Sequence, residues 1–296
     1  DTKNVAIYGQ ENIDTTYRLA KMNLALRGIS GNLGLTNADT FANDQHKDLK
    51  ADYIIANPPF NLKDWRAESE LRDDPRWAGY DVPPVSNANY AWILNIVSKL
   101  SANGTAGFLL ANGALSDSDT KNIRRRLIEN NLVEAIVVLP RETFYSTDIS
   151  VTLWILSKNK QARDLKIGDE VRHLRDRERE ILFMDLRTWG SEYDKKYIEL
   201  TSDDIAKASG IFHAWQEGRG YEDVAETCRS VGFDEIKDND FSLVPSRYIE
   251  FVDRDSKIDF DSEMKRIQKD VGEILKEESK AEESLREAFE GLGYGV

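Results

Sequence analysis

The apolar run Tyr53-Ile54-Ile55-Ala56 ends at Asn57-Pro58-Pro59-Phe60, and this junction constrains the chain more than any other stretch. Four consecutive apolar residues with a β-branched pair read as a buried strand. Neither proline can donate a ladder hydrogen bond, so the strand stops there and the chain leaves it extended. The Asn57 amide and the backbone carbonyls then stand as rigid acceptors, with the flat face of Phe60 beside them. That combination suits an exocyclic amine on a planar base, held by two hydrogen bonds and a stack; adenine N6 is such a group. A proline-stiffened surface turn is the alternative.

Around this junction, strand-like apolar runs alternate with helix-like segments from the start to about residue 160, the pattern of a parallel α/β sheet. Val5-Ala6-Ile7-Tyr8 is the first strand, residues 15–26 form a helix ended by Gly28, and residues 51–56 form a central strand. Residues 91–100 form a helix. Strands follow at 104–110, 132–139 and 151–156, with a helix at 121–130, and the last two strands pair as an antiparallel hairpin. Ligands of open α/β sheets bind beyond the carboxyl ends of the strands, which makes Glu11, Asp39 and Asn57 candidates. Glu11 also reads as a helix-start carboxylate and Asp39 as a loop cap.

The chain has 296 residues, 40% hydrophobic and 31% charged, enough for one large or two small domains with a real core. No apolar stretch approaches the 18 or so residues that would cross a bilayer. Cys228 is the only cysteine, which excludes an intrachain disulfide and fits a reducing cytoplasm; it reads as a small buried residue rather than a nucleophile. His46, His173 and His213 lie far apart without partner cysteines, so the spacing of a zinc site is missing. A net charge of −13 is awkward for gripping nucleic acid, since affinity for phosphates comes mainly from Lys and Arg. The cluster Lys121-Asn122-Ile123-Arg124-Arg125-Arg126 is either a phosphate contact or a solvated helix face.

Ala51 to Asn61 resembles the catalytic motif of S-adenosylmethionine-dependent amino-methyltransferases of the adenine class, close variants of which occur in glutamine methyltransferases acting on protein. The flanks narrow the resemblance. Ile7-Tyr8-Gly9-Gln10-Glu11, Leu19 to Leu24, Ser86-Asn87-Ala88-Asn89-Tyr90-Ala91-Trp92, Gly107 to Gly113 and Leu153 to Lys160 are similar, in the same order, to the modification subunit of type I restriction-modification systems. Val244-Pro245-Ser246-Arg247-Tyr248 resembles that family's closing motif.

This resemblance implies a Rossmann-like class I methyltransferase α/β sheet with a C-terminal helical extension, methylating adenine N6 in DNA. Asn57, Pro58, Pro59 and Phe60 would be the catalytic motif. Glu11 would accept from the ribose hydroxyls of S-adenosylmethionine and Asp39 from its adenine amine, with Asn57 also at the cofactor. Phe144 and Tyr145 would supply the other face of the target-base pocket, plain core packing being the equal alternative. No metal is implied. The implied partners are DNA, a specificity subunit that reads the target, a second modification subunit and, where one exists, a restriction nuclease subunit. The family's glycine-rich loop is missing here, and the chain runs from Asp1 almost directly into what resembles the second strand. The resemblance therefore implies an N-terminally truncated sequence without its first strand, which binds cofactor poorly and is inactive alone. A non-catalytic fragment that assembles with a partner, or a protein glutamine methyltransferase, are the alternatives.

By this reading residues 1–160 are the partial catalytic core, 161–180 a charged loop or insertion, 181–250 an α/β extension and 251–296 a helical tail. Thr201-Ser202-Asp203-Asp204 carries a capping pattern. Phe260, Met264, Ile267, Val271, Ile274, Leu285 and Phe289 recur at helical steps. The stripe would pack on its own domain, dock on a specificity subunit or dimerise.

Overall fold

The structure, a computed structural model, describes residues 5–144, 148–168, 170–193, 197–252 and 260–291. In chain order the elements are β1 (Ile7–Tyr8), α1 (Asp14–Leu26), β2 (Gly31–Asn32), β3 (Ala51–Ala56), α2 (Asn89–Lys99), β4 (Leu100–Ala111), α3 (Lys121–Glu129), β5 (Val133–Val138) and β6 (Val151–Ser157). They continue with β7 (Arg163–Ile167), β8 (Glu170–Leu174), β9 (Glu180–Asp185), β10 (Ser191–Tyr193), β11 (Tyr197–Glu199), α4 (Ser202–Glu217), β12 (Cys228–Gly232), α5 (Phe233–Asp238) and α6 (Phe260–Gly291). Two units result, residues 1–250 and 251–296.

The first unit is built on a six-stranded sheet of order β12-β9-β5-β6-β4-β3. β3 and β4 are parallel, as are β5 and β9; β6 runs antiparallel to both of its neighbours, and β12 antiparallel to β9. The expected antiparallel pair at 132–156 is β5 and β6. Alternate residues of the central strands face opposite cores, as pleating requires. Phe183, Ile136 and Trp154 belong to the core that α2 and α3 cover, whereas Ala135, Val137, Leu182 and Met184 pack with Trp215 of α4. The Thr201 capping box starts α4: Thr201 accepts from the Asp204 amide while Asp204 accepts from that of Thr201. Gly104 sits in the bulge between β3 and β4, where a β-carbon would lie 2.7 Å from the Ala51 carbonyl oxygen.

Two expectations are corrected. Residues 51–56 form a strand as expected, but β3 lies at the edge of the sheet, because β1 and β2 pair only with each other in a separate parallel ribbon. Its second face is bare, with Tyr53 70% and Ile55 92% exposed. The charged segment 161–180 is no loop: β7 and β8 form an antiparallel hairpin from Arg163↔Leu174 to Ile167↔Glu170, turned at Gly168 with φ +62°. On β7 Leu165 and Ile167 alternate with charged residues at period two, a pattern that the density of charge hides, whereas on β8 Val171 and Leu174 are three apart.

The chain on either side of that hairpin also returns two cations, Lys160 and Arg177, to the interior. Arg177 and Glu134 are each 1% exposed and paired at 3.0 Å, and Gln216 donates to the same Glu134 oxygen at 2.9 Å. Lys160 is buried beside them and donates to the Val133 and Glu180 carbonyls at 2.9 and 2.5 Å. Burial pushes its ammonium down to about 8. The network closes the end of the sheet opposite Asn57, where β5 and β9 begin.

The second unit contains α6, whose apolar stripe is exposed from Phe260 through Met264, Ile267, Val271 and Ile274 to Leu285 and Phe289. Its polar faces carry i,i+3 and i,i+4 ion pairs such as Arg266 with Glu263 and with Asp270. Among the described residues no helix is long and apolar enough to cross a membrane.

Candidate active site

β3 ends at Ala56, and the four residues after it alternate in exposure: Asn57 exposed, Pro58 buried, Pro59 exposed, Phe60 half-buried. Pro58 anchors the turn while Asn57 projects outward, and its amide has no hydrogen-bond partner among the described residues. Three asparagine amides lock the far side of the turn. Asn61, at φ +52°, donates its backbone N–H to Asn89 Oδ1 at 3.1 Å, and its own Oδ1 accepts from Asn89 at 2.9 Å and Asn87 at 3.2 Å. Asparagine tolerates that left-handed backbone better than other branched or long residues. Asn89 is buried at the start of α2, so the motif is fixed to a helix rather than left on a free loop.

Phe144, in the stretch that follows β5, reaches this turn. Its ring stands edge-to-face with Phe60, centroids 6.4 Å apart. Tyr145 lies outside the described residues.

The loops after β1 and β2 are stitched to each other. The Ala38 amide donates to the Glu11 carbonyl at 2.9 Å, and Gln10 donates to the Ala38 and Asn43 carbonyls at 3.1 and 2.9 Å. Glu11 Oε1 accepts from the Ile13 amide at 2.8 Å at the start of α1, and Asp39 Oδ1 accepts from the Phe41 and Ala42 amides, both at 2.8 Å. Each carboxylate thus has one oxygen fixed by backbone and a second without a partner among the described residues. The helix-start and loop-cap roles are occupied and still leave an acceptor on each side chain.

The excursion between Phe60 and α2 was the part of the site least legible in sequence. Asp74 accepts from the Arg76 amide and forms a two-bonded pair with its guanidinium, both bonds at 2.8 Å, around the short 3₁₀ turn Pro75–Trp77. Burial raises the Asp74 carboxyl, but the bonds from Arg76 outweigh it and hold the group below its ordinary range. An acidic cap followed by proline marks such a turn in sequence. Nothing in sequence tells what the guanidinium reaches.

A second cleft, of about 110 Å³, lies at the same end of the sheet, where Asn112 of the Gly107 to Gly113 segment meets Asp185, Arg187 and Ser246. Asn112 Oδ1 accepts from Thr152 at 2.6 Å, and Asp185 is buried against Arg187. In the basic cluster of α3 only Arg124 is buried, donating to the Phe241 and Asp117 carbonyls at 2.8 Å; Lys121 and Arg125 make surface pairs with Asp240 and Glu129, and Arg126 is exposed, so the rest is a solvated helix face. Cys228 is buried, and burial pushes its thiol up. Among the described residues no group of three His, Cys, Asp or Glu is placed to hold a metal ion.

Comparison with known proteins bears on this arrangement. The chain is 42% identical over 98% of its length to the type I restriction enzyme HindI methylase subunit of Haemophilus influenzae, of which it covers 62%. It is 34% identical over 99% of its length to the MjaIX methylase subunit of Methanocaldococcus jannaschii, covering 51% of that protein. Its fold matches the type I restriction-modification methyltransferase subunit of Streptococcus thermophilus at a TM-score of 0.69, with 28% identity over 82% of this chain and 48% of that one. The chain thus spans roughly half to three-fifths of the length of these relatives. The α/β fold also matches a putative class I S-adenosylmethionine-dependent methyltransferase of Listeria monocytogenes at a TM-score of 0.50, with 19% identity over 72% of this chain and 56% of that one, a likeness of fold. Residues 1–257 match the description N-6 DNA methylase, and the chain belongs to that family.

Proposed function

We propose that this chain is the catalytic region of a site-specific DNA adenine-N6 methyltransferase that works as a modification subunit of a type I restriction-modification complex. The observation that carries the reading is the exposed Asn57 amide at the end of β3, without a hydrogen-bond partner among the described residues, on the turn whose Phe60 ring meets that of Phe144. Neither an assembly-only fragment nor a protein glutamine methyltransferase is favoured by the family match or the relatives' names.

The residues fit S-adenosylmethionine. Glu11 and Asp39 close two neighbouring loops, each with one carboxylate oxygen braced by backbone amides and the other available to a ribose hydroxyl or an adenine amine. When bound, this cofactor supplies an electrophilic methyl on a sulfonium. The chain supplies position: a flipped adenine stacks on Phe60 and donates its amine hydrogens to Asn57 and to the Pro58 carbonyl. Those bonds draw the amine toward tetrahedral geometry and raise its lone pair, and the proton leaves afterwards. No covalent intermediate on the protein is needed.

The bare edge and face of β3 support the expectation that a further strand, with its glycine-rich loop, completes the sheet between β1 and β3. The net charge of −13 favours dependence on partners for DNA binding. The exposed stripe of α6 is the surface offered to a specificity subunit, and a second modification subunit and a nuclease subunit complete the proposed assembly. Incubating the assembled methylase with labelled S-adenosylmethionine and duplex DNA tests the reading. N6-methyladenine should accumulate in DNA, and label appearing in a glutamine-bearing peptide instead would refute it.

A further inference from the structure

Arg76 is nearly buried, yet it does not serve the hydrophobic core alone. Besides its pair with Asp74, it donates Nη1 to the Thr40 carbonyl at 2.8 Å and Nη2 to the Phe41 carbonyl at 2.7 Å. These are the two residues that follow Asp39. A weaker contact, 3.4 Å, joins Nη1 to Asn95 of α2. Phe41 in turn lies 4.3 Å, ring to ring, from Trp92 of α2 and 4.6 Å from Trp65. The same helix holds Asn61 through Asn89. One guanidinium therefore joins three parts: the Asp39 loop, the excursion that follows Phe60, and the helix that braces the catalytic turn.

We infer that Arg76 is a positioning residue, clamping the Thr40 and Phe41 carbonyls so that the Asp39 carboxylate is presented to the cofactor in fixed register with Asn57 to Phe60. The inference rests on the proposed role of Asp39 as a cofactor contact. Two features give it force. A bidentate carboxylate fixes the guanidinium plane, so its remaining N–H bonds point in set directions, which a lysine could not reproduce. Asp39 Oδ1 accepts from the Phe41 and Ala42 amides, so holding the carbonyls of residues 40 and 41 also orients the carboxylate. A second tie nearby, Lys99 to Asp44 at 2.7 Å and to the His46 carbonyl at 2.8 Å, secures the same loop farther on and serves as a control.

The test is amide hydrogen exchange on Arg76→Gln, Arg76→Lys and Lys99→Met, with S-adenosylmethionine affinity measured by calorimetry on the assembled methylase. Arg76→Gln should speed exchange at Phe41 and Ala42 by about tenfold or more while leaving α2 and β5 protected, with Arg76→Lys in between and Lys99→Met affecting residues 44–46 instead. Cofactor affinity should fall about tenfold in Arg76→Gln and less in Arg76→Lys, and an unchanged affinity in Arg76→Gln overturns the inference. Unchanged exchange at Phe41 and Ala42 overturns the inference. So does loss of protection throughout α2 and β5, which would make Arg76 a core residue only. Asp39→Ala separates the two readings: if it binds S-adenosylmethionine as the parent does, the role of Asp39 fails, whereas the exchange data judge the clamp.

Discussion

Phe60 and Phe144 meet edge-to-face at 6.4 Å although 84 residues separate them in sequence, and the contact brings the stretch after β5 onto the turn after β3. Two rings from different strand ends are what a flipped base needs for a stack and a wall. Stacking on an aromatic side chain contributes about 1–3 kcal/mol per base. Phe144→Ala should therefore lower kcat/KM for DNA by about tenfold or more and leave S-adenosylmethionine affinity unchanged. Steady-state kinetics with each substrate varied in turn checks this, and an effect confined to cofactor affinity would place Phe144 elsewhere.

The Arg177 and Glu134 pair makes a claim about stability rather than catalysis. Both are buried, so removing one partner strands a charge in the interior, at a cost of about 3–5 kcal/mol. Arg177→Met should unfold at markedly lower urea concentration, and adding Glu134→Gln should recover part of the loss. Equal midpoints for the single and double variants would mean that the pair is hydrated in solution.

Lys160 gives stability a pH signature. Burial lowers its folded value to about 8 against 10.5 unperturbed, so between those limits the folded chain has released a proton that the unfolded chain still holds. Stability from this group therefore rises with pH across that window, by roughly 3 kcal/mol in total. Urea titrations of the parent and Lys160→Met should diverge in the parent's favour from about pH 8 upward. A constant difference between the two would show that Lys160 keeps its ordinary value.

Local pattern carried the strands well: β3 spans the expected residues, and β5 and β6 form the expected antiparallel pair. Neighbourhood was harder to read, because the partner of a strand is chosen by distant segments. Hence β3 could be recognised as a strand from Tyr53 and Ile55 but not as an edge with both of them exposed. Charge misled in one place. The hairpin at 163–174 reads as a loop in sequence because half of its residues are Arg, Lys, Asp or Glu. At the site, Glu11 and Asn57 follow β1 and β3, both legible as strands in sequence, whereas Asp39 lies seven residues beyond β2, a two-residue strand that is not. Arg76 was silent, since its meaning lies in the two carbonyls it reaches 35 and 36 residues back in the chain.

The central claim is that Asn57 prepares the amine for transfer, and single-turnover methyl transfer by Asn57→Ala in the assembled methylase tests it most directly. The account expects the rate to fall by about a thousandfold or more, with DNA binding retained and cofactor binding altered far less than the rate. A rate within about tenfold of the parent would contradict it, and would assign the turn after β3 to structure rather than chemistry.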